Sequence, residues 1–194
     1  MNKPLLSKIS MITIFLIGWL IMTYPFYVNA VNFFIDSYRS SQYEKELQAK
    51  YEQELAKWEA KNQQIAQQGL HPGSDPFEEN SSNKAEQKML KHHYLGKINI
   101  PKLALEIPLF DSTTPYLLEQ GATVLDGTSV PIGGENTHSV ITAHRGLPQR
   151  ELFTNLPKLV EQDIFLIEIA GSTQAYQVID SQIVTPEDTS VLSI

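Results

Sequence analysis

The chain has 194 residues, 15 Lys and Arg against 22 Asp and Glu, a net charge of −7, and no cysteine. Without a thiol it has no disulfide framework, no Cys-ligated zinc site and no cysteine nucleophile of its own. The acidic balance argues against nucleic-acid binding, which needs a concentrated basic face, and the length suits one ordinary domain plus attachments.

Charge divides the chain into three parts. Residues 1–35 hold only Lys3 and Lys8, residues 36–92 carry 8 basic and 10 acidic residues, and residues 93–194 carry 5 basic and 12 acidic residues. Residues 9–35 contain no charge and are long enough to cross a hydrocarbon core at about 1.5 Å per residue, so they read as a transmembrane helix. A cleaved signal peptide with Val28-Asn29-Ala30 as its cleavage site is the rival reading; the span is longer than an ordinary signal-peptide apolar region, which favours retention. Lys3 and Lys8 precede the span and Asp36 follows it, which places the N-terminus in the cytoplasm and the rest outside.

Between Tyr38 and Gln68 there is neither Pro nor Gly, and Tyr43, Leu47, Tyr51, Leu55, Trp58 and Ile65 recur at helical spacing. They form one apolar stripe on a stalk helix, whose partner is a coiled-coil mate or the following domain. Gly69 ends the helix, and a strap of about residues 69–82 follows, LHPGSDPFEENSSN with its turn formers. Phe77 is the odd aromatic in it; leaving such a ring in water forfeits about 1.5–3 kcal/mol. A second helical stretch over residues 83–91 completes a part running from 36 to 92.

From residue 93 the texture changes to short runs rich in Val, Ile, Leu and Thr: LGKINI, LALEIPLF, ATVLDG, HSVITAH, DIFLIEI and AYQVIDSQIV. Such spacing predicts a mainly β domain, a sandwich or barrel. Helical turns are predicted at Pro115–Gln120, capped by Thr114 and stopped by Gly121, and near residues 151–156. The run TPEDTSVLSI ends on an apolar residue without a polar fray.

Of five histidines, His144 is best placed for chemistry, where the strand SVITA gives way to Arg145-Gly146-Leu147-Pro148 at a sheet rim. Taken alone, a rim histidine is usually just a solvated polar residue. His138 and His144 lie about 20 Å apart along a strand, too far to share a metal ion, and no cofactor is expected.

Gly96-Lys97-Ile98-Asn99-Ile100-Pro101, Gly121-Ala122-Thr123, the block Ser139-Val140-Ile141-Thr142-Ala143-His144-Arg145-Gly146, and Thr185-Pro186-Glu187-Asp188 together resemble the sortases of Gram-positive bacteria. The membrane helix, the stalk and Asp75-Pro76-Phe77 narrow this to the pilus-assembling class C sortases. The resemblance implies a closed β-barrel of eight strands, incomplete here, and a cysteine transpeptidase that cleaves LPXTG-like sorting signals and joins pilins or anchors them to the cell wall. His144 matches the family's general acid/base, and Asp75, Pro76 and Phe77 match a lid over the empty site. Similar proteins carry a TLxTC block and then an arginine beyond the position of Ile194, and commonly a second membrane helix. This chain is therefore read as C-terminally truncated and inactive alone; Arg145 is not the family's arginine. The competing reading is a membrane-tethered binding module that holds sorting signals or pilins without cleaving them, and a helix-dimerised adaptor comes third.

Overall fold

The computed structural model describes residues 3–69 and 83–185, with side chains from Lys8 to Gly69 and from Lys88 to Thr185. The apolar span and the stalk form one helix, α1 (Lys3–Gln68), with Pro25 inside it. That proline lacks an N–H, so one intrahelical bond is lost while the following 43 residues stay helical. Gly69 closes the helix as expected: it adopts φ +81°, costly for any residue with a Cβ, and its N–H reaches the Ile65 carbonyl at 2.8 Å.

One face of α1 meets the rest of the protein. Val28, Ser40, Trp58 and Asn62 are buried, and Asn32, Asp36, Tyr43, Leu47 and Tyr51 are half-buried, a stripe at spacings of three, four and seven residues that holds a single helix face inward. Trp58 belongs to the main core with Ile98, Leu109 and Ile167, and Leu47 and Tyr51 pack against it. Tyr43 sits 5.4 Å from Tyr94, ring centre to ring centre. The stripe read from the sequence thus packs on the domain that follows it. The strap with Asp75, Pro76 and Phe77 lies outside the described residues. After it, α2 (Asn83–His93) runs two residues beyond the expected end.

Six strands follow: β1 (Tyr94–Ile100), β2 (Leu105–Phe110), β3 (Ala122–Val124), β4 (Ile141–Thr142), β5 (Ile164–Ile169) and β6 (Ser172–Gln177). They form one curled sheet, a half-barrel in the order β4-β3-β2-β1-β5-β6. β1 pairs antiparallel with β2 and β5, whereas β2 and β3 are parallel and are joined through α3 (Pro115–Gln120), the crossover that parallel strands require. Thr114 caps α3 by accepting from the Leu117 N–H at 3.2 Å. Gly121 stops it for a steric reason: a Cβ there would lie 2.4 Å from the Pro108 carbonyl oxygen. Gly96, at a bulge in β1, is similarly enforced, since a Cβ would lie 2.1 Å from the Glu168 carbonyl.

Three expectations are corrected. The run 138–144 is not a full strand: only Ile141–Thr142 pairs, with β3. Its neighbours bond to loops instead, Ser129 N–H to the His138 carbonyl at 2.9 Å and Leu125 N–H to the Val140 carbonyl at 2.8 Å. The run 175–184 is β-strand only as far as Gln177. The helical turn near 151–156 is a 3-10 segment, Leu152–Lys158, kinked at Phe153. Between β4 and β6 no strand pairing occurs among the described residues, so these two strands are the sheet's edges.

Candidate functional site

His144 stands two residues past β4, exposed, at the start of a loop running to Arg150. Its carbonyl accepts the Phe153 N–H at 3.1 Å, and the Gly146 N–H donates to Thr154 Oγ1 at 2.9 Å. The loop is thus stitched to the 3-10 segment, with Leu147 packed against the core and Arg145, Pro148 and Gln149 left in the open. Phe153 also lines an apolar cleft of about 330 Å³ together with Ile98, Ile100, Ile141, Leu156 and Phe165. That cleft lies between β4 and the chain after β6, where Ser139, Asp180 and Ser181 add its polar groups. His144 is joined to this cleft through its backbone bond to Phe153, and an exposed imidazole can exchange a proton with a ligand that reaches it.

The loop's far end is anchored to α1. Arg150 donates to Asp36 at 2.5 and 3.4 Å and to the Gln120 backbone and side-chain oxygens at 3.0 and 3.3 Å. Both side chains of the ion pair are largely buried, 13% and 14% exposed. Burial pushes the Asp36 carboxyl above its ordinary value although the Arg150 guanidinium beside it pulls the other way. One turn earlier on α1, Asn32 Nδ2 donates to the Gln149 carbonyl at 2.5 Å. A third clasp holds the loop after β3: Asn62 donates to the Val130 carbonyl at 2.9 Å and accepts its N–H at 2.8 Å. None of Asn32, Arg150 and Asn62 stands out in the sequence, because the contacts they make between α1 and the loops span 68 to 117 residues.

A second cleft, of about 610 Å³, opens between α1 and the end of α2, with Trp58, Lys50, Lys91, His92, His93 and Asp111 around it. His93 Nδ1 is 2.8 Å from Asp111 Oδ1, and the Asp111 N–H donates to the His93 carbonyl at 2.9 Å. The hydrogen bond to Asp111 holds the His93 imidazole above its ordinary value, against partial burial and with help from Asp126. His138 is fixed through its backbone, and its Nδ1 is buried without a partner. His71 lies outside the described residues, as do Asp75, Pro76 and Phe77, so of the site residues named from the sequence the structure places His144 alone. Among the described residues no cluster of three or more His, Asp or Glu is arranged to hold a metal ion.

A family model described as the sortase domain matches residues 98–194, and the chain belongs to the sortase family. Similar solved structures include class C pilus sortases. The complex of Streptococcus agalactiae sortase C1 and MTSET is 35% identical, with a TM-score of 0.62 over 75% of this chain and 74% of that one. The pilus-related sortase C of Group B Streptococcus is 35% identical, with a TM-score of 0.63 over 81% and 80%. Sortase C-1 from Streptococcus pneumoniae is 31% identical, with a TM-score of 0.62 over 79% and 82%. No curated protein sequence matches the chain significantly.

Proposed function

We propose that the chain is the membrane-tethered part of a pilus-type sortase acting on LPXTG-like sorting signals, with His144 as its general acid/base. The observation that supports this reading is that His144, the histidine of the Ser139–Gly146 block, is exposed on a loop held at both ends, with its carbonyl accepting the N–H of Phe153, a residue that lines the apolar cleft. The reaction class needs a thiolate to attack the Thr carbonyl and an imidazole to protonate the departing amine. This chain supplies the imidazole and has no cysteine, so it neither cleaves nor transpeptidates alone.

In this reading residues 1–35 are the cytoplasmic N-terminus and anchor, α1 being long and apolar enough to cross a membrane. Residues 36–92 are the stalk with its strap, and 93–194 are the sortase β-domain, held outside the cell. Asp75, Pro76 and Phe77 serve as a lid: Phe77 gains by leaving water, Pro76 limits the entropy lost, and Asp75 accepts charge-assisted bonds from cations of the site. The alternative, a tethered module that binds sorting signals without chemistry, shares the cleft and differs in the role of His144.

One experiment addresses both. The full chain in detergent is incubated with a fluorescent LPXTG-type peptide, and binding and product are measured together. Binding without product is expected, with tighter binding in Asp75→Ala and Phe77→Ala because a tethered plug no longer competes. Unchanged affinity in both variants would remove the lid. Product lost on His144→Ala would overturn the claim that the chain is inactive alone.

A further inference from the structure

The continuity of α1 makes it a ruler for the height of each part of the domain above the bilayer. Residues 9–35 are uncharged and measure about 40 Å at 1.5 Å per residue, whereas a hydrocarbon core is about 30 Å thick. A span that begins just after Lys8 therefore leaves the hydrocarbon near Val28. The domain does not wait for the end of the uncharged stretch before touching the helix. Val28 is already 6% exposed, and Asn32 holds the Gln149 carbonyl. Asn32 lies about 6 Å beyond Val28, within a headgroup layer of about 5–7 Å, and Asp36 lies about 12 Å beyond it, just above that layer.

The charge of the loop agrees with that position. The domain from residue 93 carries 12 acidic and 5 basic residues, yet no Asp or Glu lies between Glu135 and Glu151, a stretch that holds Arg145 and Arg150. Arg150 is used up by Asp36. Arg145 is exposed, as are Pro148 and Gln149 in the same loop, and Phe33, Phe34 and Tyr38 on the end of the α1 span are 48%, 70% and 68% exposed. An exposed cation on a loop held by the end of a membrane span, with exposed aromatic rings on that same end of the helix, is a composition that settles at a lipid interface.

We propose that the loop from His144 to Arg150 rests on the bilayer surface, with Gln149 at the level of the headgroup layer and Arg145 on lipid phosphate, so that the acid/base residue works at the membrane surface. This rests on the membrane-anchor reading above. The opposite end of the domain stands far away: Asn62, which grips Val130, is about 45 Å further along the helix than Asn32.

Because the chain contains no cysteine, single substitutions give clean labelling sites. Ile17→Cys, Gln149→Cys and Glu135→Cys, each in the full chain, are labelled with an environment-sensitive fluorophore and reconstituted in phosphatidylcholine–phosphatidylglycerol vesicles. Quenching is read with nitroxides on lipid headgroups or deep in acyl chains. The expected pattern is deep quenching at Ile17, loss of most of the signal to headgroup nitroxide at Gln149, and none at Glu135, beside the Asn62 end of the helix. Adding Arg145→Glu to the Gln149 variant should weaken headgroup quenching; no change would remove Arg145 from the contact. Gln149 quenched no more than Glu135, with Ile17 still quenched, would overturn the proposal and leave the anchor intact. An unquenched Ile17 would overturn the anchor, and the proposal with it.

Discussion

At the scale of single residues, the His144 loop is governed by polar groups that face α1. Arg150 and Asp36 are both nearly buried, and desolvation makes such a pair expensive to split and cheap to replace as a unit. Asp36→Asn keeps the shape and strands the guanidinium. It is expected to cost about 3–5 kcal/mol, whereas Asp36→Leu with Arg150→Met is expected to lie close to the parent. Denaturant titration of the three proteins in one detergent checks this; additive losses in the double variant would show that the pair is not coupled.

His93 makes stability depend on pH, with a definite sign. Its imidazole is raised by the hydrogen bond to Asp111, opposed by burial, and Asp126 adds to the rise; the neighbouring His92 ring lies 5.0 Å away. The stabilisation is therefore fully present below the unfolded value of 6.5 and is lost as pH rises through the higher folded value. Melting temperature should fall as pH increases above that point, and the fall should be smaller in Asp111→Asn. Parallel curves for the two proteins would show that the pair has no such role.

At the scale of elements, α1 is both the most and the least legible part of the chain. Its apolar stripe from Tyr43 to Trp58 follows from periodicity, because a 3.6-residue repeat of large apolar groups has to bury one face. That the same face continues down through Asp36, Asn32 and Val28 is hidden, because two of those positions are polar and their partners come from the distant loop at Gln149–Arg150. The strands divide in the same way. β1, β2 and β5 carry long apolar runs and lie together at the centre of the sheet, so they are readable. β4 is shorter than its apolar run because its neighbouring backbone groups are satisfied by loops rather than by a ladder. The sequence block around His144 makes it a candidate, whereas the contacts that anchor its loop to α1 are not readable there.

The continuity of α1 can be tested as an element. Inserting one Ala after Ser37 rotates everything before it by about 100° and carries Asn32 and Asp36 off the inward face, while Tyr43 to Asn62 keep theirs. Amide exchange should then rise across residues 144–151 with little change in β1, β2 and β5. Equal protection in that loop would mean that α1 does not hold it.

At the scale of the molecule, the curled sheet, the sortase family match and the similarity to class C pilus sortases agree on the scaffold, and the chain contains no cysteine. The apolar cleft lies between β4 and the segment after β6 and is lined by Phe153, whose N–H donates to the His144 carbonyl. The most direct measurement joins this chain at Ile194 to the cysteine- and arginine-bearing C-terminal segment of a pilus sortase and follows cleavage of an LPXTG-type peptide. Cleavage is expected from the joined protein, lost in its His144→Ala variant, and absent from the 194-residue chain alone. Cleavage that survives His144→Ala would contradict the assignment of His144 as the acid/base of a sortase site.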